Sequence, residues 1–215
     1  MPSIMLLQSD AVVGERLRHC IDAKPGWCVT ALVSTLSQAN RLLNEASPDL
    51  MLADLNLLDG PLVALLSERR GRGIAGRTQL LVSTLSADDD RLMPALRLGA
   101  DAYLVHGAGC EELICTVGQV LAGESPMSPA IARGLRAHFI AAGWKILGDQ
   151  DAAQASFCLT PVENLLLNRL GEGYSPGEIA LELQTSVQQL GLKQRGLYRK
   201  LRFDTRQPVD TRQAA

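Results

Sequence analysis

Residues 159–201 read LTPVENLLLNRLGEGYSPGEIALELQTSVQQLGLKQRGLYRKL and decide the fold of the C-terminal part of the chain. Thr160 with Glu163, and Ser175 with Glu178, have the spacing of capping boxes, and a proline follows each cap. Ser186 is suited to cap a third helix. Three short helices joined by tight turns predict a helix-turn-helix.

The third predicted helix has one apolar and one polar face. Leu190, Leu197 and Leu201 recur at helical spacing and predict its buried stripe. The residues predicted to face outward are Gln188, Gln189, Gly191, Leu192, Arg195 and Arg199. Amide and guanidinium groups suit base edges, and the positions suited to phosphate are Lys193, Arg199 and Lys200. This helix is therefore the predicted DNA-binding element, placed in the major groove.

The distribution of charge along the third predicted helix supports DNA binding in one part and disfavours it in another. The chain has a formal net charge of −2, yet residues 187–206 carry six basic residues and one acidic residue. The start of the helix, residues 187–192, carries no charge, and Gly191 costs a helix about 1 kcal/mol relative to alanine.

The N-terminal half alternates short apolar runs with helical patterns. The predicted strands are 3–7, 27–32, 49–53, 79–83 and 102–105. The predicted helices are 10–22, 34–45, 61–70, 88–98 and 111–122. This alternation predicts an α/β fold: a five-stranded, parallel, doubly wound sheet of flavodoxin-like type, followed by a small all-α domain.

Chemistry in such a sheet collects at the carboxyl ends of the strands. The residues predicted to lie there are Gln8, Ser9, Asp54, Ser83, Thr84 and His106.

Several segments resemble one family of proteins. DLMLADLNLLDG at 49–60 and LRLGADAYLVH at 96–106 resemble the receiver domains of response regulators. ESPMSPAIA at 124–132 resembles the linker of NarL/FixJ-type regulators, and residues 159–186 resemble the LuxR-type helix-turn-helix. The resemblance covers nearly the whole chain.

The resemblance implies roles for the residues at the strand ends. Asp54 falls on the phosphoacceptor, Thr84 on the switch hydroxyl and Tyr103 on the switch aromatic. Gln8 and Ser9 fall where the family has two Mg²⁺-binding acids, and His106 falls where it has a phosphate-pairing lysine. The loop after Asp54 is about two residues shorter than is usual in the family.

These departures predict a pseudo-receiver, in which Asp54 is a vestigial or atypical phosphoacceptor. Mg²⁺ prefers anionic oxygens, and Gln8 and Ser9 offer neutral ones. Asp10 is expected to cap the first helix rather than bind metal. His106 replaces lysine only when protonated, and is otherwise a solvated loop histidine. Asp54 itself is either a leftover carboxylate or one held by local hydrogen bonds.

The predicted domains are a receiver-like domain at 1–123, a linker with a helix at 124–157, a helix-turn-helix domain at 158–205 and a disordered tail at 206–215. The linker helix is expected at 129–143, followed by a flexible segment. Departures from the family at Gln189, Leu190, Gly191 and Lys193 concern the DNA-binding helix.

Composition limits the remaining possibilities. Five scattered cysteines without a CxxC pair predict reduced, mostly buried thiols. No apolar run approaches a membrane span and no signal peptide is recognisable, so a cytoplasmic protein that contacts no membrane is expected. No nucleophile–base pair, metal-ligand cluster or glycine-rich phosphate loop is present in the sequence, which predicts no enzyme activity, catalytic residue, metal or cofactor.

Two functions follow from these features. The first is a transcriptional regulator that binds double-stranded promoter DNA as a homodimer, with a histidine kinase or another regulator as its candidate partner. The last helix, with Tyr198 and Leu201, and a face of the receiver are the predicted dimer contacts. The second is an adaptor that heterodimerises with another regulator and binds DNA weakly or not at all.

Overall fold

The computed structural model describes residues 1–71, 78–86, 89–105, 107, 109–146 and 158–203. These residues form two compact units that meet in the chain between Ala122 and Gly123. His106, most of the linker segment after the predicted linker helix and the predicted tail lie outside the described residues.

The first unit alternates strands and helices. Its strands are β1 (Ser3–Leu7), β2 (Cys28–Val33), β3 (Leu50–Asp54), β4 (Asn56–Leu57), β5 (Gly60–Pro61), β6 (Gln79–Thr84) and β7 (Ala102–Val105). Its helices are α1 (Ala11–Asp22), α2 (Leu36–Glu45), α3 (Leu62–Gly71), α4 (Leu92–Leu98) and α5 (Cys110–Leu121).

Five of these strands form one parallel sheet in the order β2-β1-β3-β6-β7. Strands β1 and β3, in the middle of this sheet, are mainly apolar and almost fully buried, as expected for strands covered on both faces. One face carries a cluster of aliphatic side chains that includes Ile4, Leu52 and Val117, with α1 and α5 packed together there. The predicted fold class is confirmed.

The second unit is helical apart from one short pair of strands. Its elements are α6 (Pro129–Ala141), β8 (Lys145–Ile146), β9 (Cys158–Leu159), α7 (Pro161–Glu172), α8 (Pro176–Glu182) and α9 (Val187–Phe203). Helix α6, predicted as part of a linker, packs along α7, where Arg133 Nη1 donates to the carbonyl of Gly171 at 2.7 Å. Near the end of α6, the centre of the Phe139 ring lies 4.6 Å from the centre of the Trp144 ring.

Two predictions about the first unit are wrong. Helix α4 begins at Leu92 rather than at 88, because Asp89 accepts bonds from the backbone and side chain of Arg91 in a turn that precedes the helix. Cys20 and Cys110 form a disulfide, whereas the sequence predicted free thiols. Because α1 packs against α5, the Cα atoms of Cys20 and Cys110 lie 5.4 Å apart, which is within the range that disulfides require.

Candidate receiver site and nucleic-acid interface

Asp54 ends β3 and accepts hydrogen bonds from Ser9, which follows β1, and from Ser83 on β6. Its carboxylate is buried, and Oδ2 accepts from the backbone N–H and the hydroxyl of Ser9, each at 2.8 Å. Oδ1 accepts from the hydroxyl of Ser83 at 2.7 Å. Both carboxylate oxygens therefore accept from neutral groups at the carboxyl edge of the sheet.

Gln8 is connected to the Asp54 carboxylate through Ser83. Its side chain is only 1% exposed, and Nε2 donates to Ser83 Oγ at 3.1 Å. The bonds run from Gln8 to Ser83 and from Ser83 to Asp54. We refer to Gln8, Ser9, Asp54 and Ser83 as the Asp54 network.

The residues of the Asp54 network do not fit a Mg²⁺ site. The ion needs several hard oxygens of high negative charge, and this set supplies one carboxylate. Asp10 does not add a second, because its Oδ1 accepts from the N–H groups of Val12 and Val13 at the start of α1. Its predicted capping role is confirmed.

The sequence did not identify Ser83 as a partner of Asp54. It assigned the switch hydroxyl to Thr84, which instead donates to the carbonyl of Ser86 at 3.0 Å and contacts Asp89 at 3.3 Å. The sheet register pairs Asp54 with Ser83, so these two side chains lie side by side on one face. Successive side chains alternate in direction along a strand, which turns Thr84 away.

The remaining predicted receiver residues are placed as follows. Tyr103 lies on β7 opposite Val82, and its side chain is buried. The loop after Asp54 contains the tight pairing of β4 with β5, in which Leu57 lies opposite Gly60. His106 is outside the described residues, so its predicted role rests on the sequence alone.

The second unit has the predicted helix-turn-helix with its predicted caps. Thr160 and Ser175 each form a capping box, with Glu163 and Glu178 respectively. The hydroxyl of Ser186 accepts from the N–H of Gln189 at 3.1 Å and caps α9. Arg169 of α7 pairs with Glu182 of α8 at 2.8 Å, which fixes these two helices at the turn.

Helix α9 buries the predicted apolar stripe and exposes most of the predicted DNA-binding residues. Leu190, Leu197 and Leu201 are buried. The exposed members of the predicted set are Gln188, Gln189, Leu192, Lys193 and Arg199, while Arg195 is half-buried.

Lys200, also predicted to contact phosphate, is engaged within the unit. Its Nζ donates to Glu163 Oε2 at 2.6 Å and to the carbonyl of Cys158 at 3.0 Å. The ammonium thus ties the end of α9 to the start of α7. Its charge is largely neutralised by Glu163 before any ligand is considered.

Gly191 is buried, although the sequence predicted that it faces outward. The segment 123–126, which precedes α6, lies against this part of α9, and the N–H of Ser125 donates to the carbonyl of Gly191 at 3.3 Å. A Cβ on Gly191 would lie 2.9 Å from Cβ and Cγ of Glu124. Glycine is therefore needed here for a close approach between two parts of the chain.

Burial of Glu124 has an electrostatic consequence. Desolvation raises the pKa of its carboxyl above the usual value. Its ionised form therefore disfavours this packing, and the penalty is relieved as the pH falls through the raised pKa.

Gly191 and Gly196 provide a matched pair on one helix. Gly196→Ala meets no atom within 4 Å of the new Cβ and is expected to stabilise the unit by up to about 1 kcal/mol. Gly191→Ala is expected to destabilise it by about 1–3 kcal/mol, because the new methyl group overpacks against Glu124. Urea unfolding followed by the fluorescence of Trp144, in a Trp27→Phe background, measures both.

The control for this pair removes the obstructing side chain. Glu124→Gly is expected to reduce the penalty of Gly191→Ala, so that the two changes are not additive. Equal effects of Gly191→Ala and Gly196→Ala would show that Glu124 does not constrain α9.

The prediction that Tyr198 and Leu201 contact a second copy is wrong. Both side chains are at most 1% exposed, and the Tyr198 hydroxyl lies 3.5 Å from the carbonyl oxygen of Pro126. Side chains that fill the core of one unit are not available to a second copy.

The described residues contain no helix long and apolar enough to cross a membrane. Nor do they group three or more His, Cys, Asp or Glu side chains in a manner suited to a metal ion.

A five-stranded parallel sheet with an aspartate at the end of β3, followed by a helix-turn-helix unit, is the arrangement found in response regulators. In this organisation the chain is similar to the NarL/LuxR-type response regulators. No family model matches it.

Individual proteins support this assignment. The chain is 26% identical over 208 residues to the nitrate/nitrite response regulator NarL of Escherichia coli K12, covering 95% of this chain and 91% of NarL. A LuxR-family two-component response regulator from Aurantimonas is 28% identical, with a TM-score of 0.55, over 64% of this chain and 97% of that one. RcsB of Salmonella enterica serovar Typhimurium, solved bound to promoter P1flhDC, has the same fold at 17% identity and a TM-score of 0.51, over 93% of this chain and 92% of that one.

Proposed function

We propose that this chain is a DNA-binding transcriptional regulator whose receiver unit is controlled without conventional Mg²⁺-dependent phosphorylation of Asp54. The observation that carries the DNA-binding part is α9, which follows two capped helices and exposes amide and basic side chains on one surface. The relation to NarL and the promoter-bound structure of RcsB support the same function.

The exposed side chains of α9 suit different parts of a DNA duplex. Gln188 and Gln189 lie in the first turn and suit base edges, above all adenine. Lys193 and Arg199 lie further along the helix and suit phosphate oxygens. Lys200 is left out of this set because its ammonium is bonded to Glu163.

A salt series on the full chain tests DNA binding. Affinity for double-stranded promoter fragments should fall linearly with the logarithm of salt concentration. Lys193→Ala and Arg199→Ala should each reduce that slope by about 1, because each removes one phosphate contact. Arg16→Ala, an exposed arginine on α1, is the matched control and should leave the slope unchanged.

Base reading requires a separate comparison. Gln188→Ala should reduce the preference among promoter fragments by about 1–3 kcal/mol at the affected base pair and leave the salt slope unchanged. If the parent protein binds no fragment at low ionic strength, the proposal of DNA binding fails.

The proposal for the receiver unit rests on the Asp54 network. Phosphoryl transfer to a carboxylate depends on positioning and on neutralising charge. Here the carboxylate oxygens accept from Ser9 and Ser83, and the family's acid positions hold Gln8 and Ser9. A buried carboxylate that accepts hydrogen bonds from Ser9 and Ser83 is suited to hold the ends of β1, β3 and β6 together.

The wider biological setting is part of the same proposal. We expect a cytoplasmic protein that reads two half-sites as a symmetric dimer, through a surface that excludes Tyr198 and Leu201. Its upstream partner is a histidine kinase only if Asp54 accepts phosphate. Otherwise another regulator or a signal of a different kind controls it.

An adaptor that pairs with another regulator is the second candidate. It is favoured by the uncharged first turns of α9, by Glu124 lying over Gly191, and by exposed apolar side chains at Leu181 and Leu192. An adaptor predicts salt-independent association with a protein and no salt-dependent binding to DNA, so the salt series separates the two functions.

A further inference from the structure

Cys20 and Cys110 join two helices of the first unit. Cys20 lies near the end of α1, and Cys110 is the first residue of α5, 90 residues later. Their sulfur atoms are bonded, and their Cα separation of 5.4 Å lies within the range of protein disulfides. The other three cysteines, Cys28, Cys115 and Cys158, are not part of a disulfide in the described structure.

The two cysteines of the bridge differ in solvent exposure. Cys20 is 7% exposed and belongs to the apolar cluster beneath α1 and α5. Cys110 is exposed at the start of α5. An oxidant in solution therefore reaches Cys110 first, while Cys20 lies within bonding distance to complete the bridge.

The disulfide joins residues that are far apart in the chain, and this separation determines its effect on stability. It closes a loop that contains β2, β3, β6 and β7, which is most of the first unit. Closing a long loop restricts the unfolded chain and stabilises the folded one. Disulfides in reducing compartments are usually transient, formed and broken in response to redox conditions.

We propose that Cys20 and Cys110 form a reversible disulfide by exchange with a low-molecular-weight disulfide such as oxidised glutathione. The Cys110 thiolate attacks one sulfur of the small disulfide, breaks its S–S bond, forms a mixed disulfide and releases one small thiolate. The Cys20 thiolate then attacks the Cys110 sulfur and displaces the second small thiolate. The two protons of the protein thiols end on the two released thiols, so the protein pair is oxidised and the small disulfide is reduced.

The test uses the full chain, equilibrated with mixtures of reduced and oxidised glutathione, then quenched and alkylated. Peptide mapping should show a Cys20–Cys110 cross-link whose fraction rises with the oxidised share and reverses on reduction. The melting temperature of the first unit should be higher in the oxidised protein by about 5 °C or more.

Two variants separate the bridge from general thiol chemistry. Cys110→Ser changes an exposed position and should abolish both the cross-link and the redox dependence of melting. Cys115→Ser, at another exposed cysteine of α5, should preserve both. Cys20 and Cys110 that stay reduced throughout, or that pair with other cysteines, would overturn the inference, as would equal melting temperatures in the two redox states. Neither readout depends on DNA binding or on Asp54.

Discussion

Acetyl phosphate with millimolar Mg²⁺ is expected to label this chain at least about a hundredfold less than a receiver that retains both metal-binding acids and the lysine, because losing a single charge-stabilising group costs about that much in rate. Gln8 and Ser9 supply no charge to a metal, and the Asp54 carboxylate accepts bonds from Ser9 and Ser83. Intact-mass spectrometry over a time course measures the phosphorylated fraction directly.

Restoring the family's groups provides the control for this result. Gln8→Asp, Ser9→Asp and His106→Lys together should raise labelling at least about tenfold, whereas single changes do little because the groups act as a unit. Asp54→Asn in the restored protein should remove the label. Stoichiometric, Mg²⁺-dependent phosphorylation of Asp54 in the parent would contradict the pseudo-receiver proposal.

Local sequence signals predicted much of the fold correctly. The caps at Asp10, Thr160 and Ser175 depend on residues within three positions of one another. The apolar periodicity of β1, β3 and α9 likewise reflects only which face of each element is buried. The predicted strand ends differ from the observed ones by at most one residue, whereas α4 begins four residues later than predicted.

Contacts between distant residues were missed for a common physical reason. The bond between Ser83 and Asp54 depends on the register of β3 against β6, and Gly191 is buried by a residue 67 positions earlier, Glu124. The Cys20–Cys110 bridge depends on how α1 packs against α5. Composition and spacing carry no information on such register or packing, so the sequence predicted only that Gly191 faces outward and weakens the helix.

The structure changes the interpretation of the departures from the family. Ser9 donates to the Asp54 carboxylate, and Gln8 donates to Ser83, which donates to the same carboxylate. Gly191 likewise fits Glu124 rather than merely weakening a helix. Gln8, Ser9 and Gly191 thus make defined contacts at positions that the sequence identified only as departures from the family.

Asp54→Asn is expected to destabilise the first unit by about 1–3 kcal/mol, and Asp54→Ala by about 3–5 kcal/mol. In Asp54→Asn, the NH₂ group of the new amide would face groups that also donate, on Ser9 or Ser83. In Asp54→Ala, the N–H of Ser9 and the hydroxyl of Ser83 would lose their acceptor. In a receiver with three clustered acids the expected sign is the opposite, because neutralising one acid relieves repulsion between like charges.

Asp49 provides the matched control at the other end of the same strands. Its Oδ2 accepts from the backbone N–H and hydroxyl of Ser3, each at 2.8 Å, which repeats the geometry of Ser9 and Asp54. Asp49 is exposed, so Asp49→Asn should cost less than about 1 kcal/mol. The Ser3 bonds lower the pKa of Asp49, and its contribution is therefore lost as the pH falls through that lowered pKa.

Urea unfolding followed by the fluorescence of Trp27, in a Trp144→Phe background, reports on the first unit for both aspartates. A large cost at Asp54 with a small cost at Asp49 would establish that burial, and not the bonding pattern alone, makes the Asp54 network stabilising. An Asp54→Asn protein at least as stable as the parent would show instead that the carboxylate is still held in a repulsive site. In that case Asp54 retains the electrostatics of a phosphoacceptor, and the neutral residues around it do not replace the missing acids.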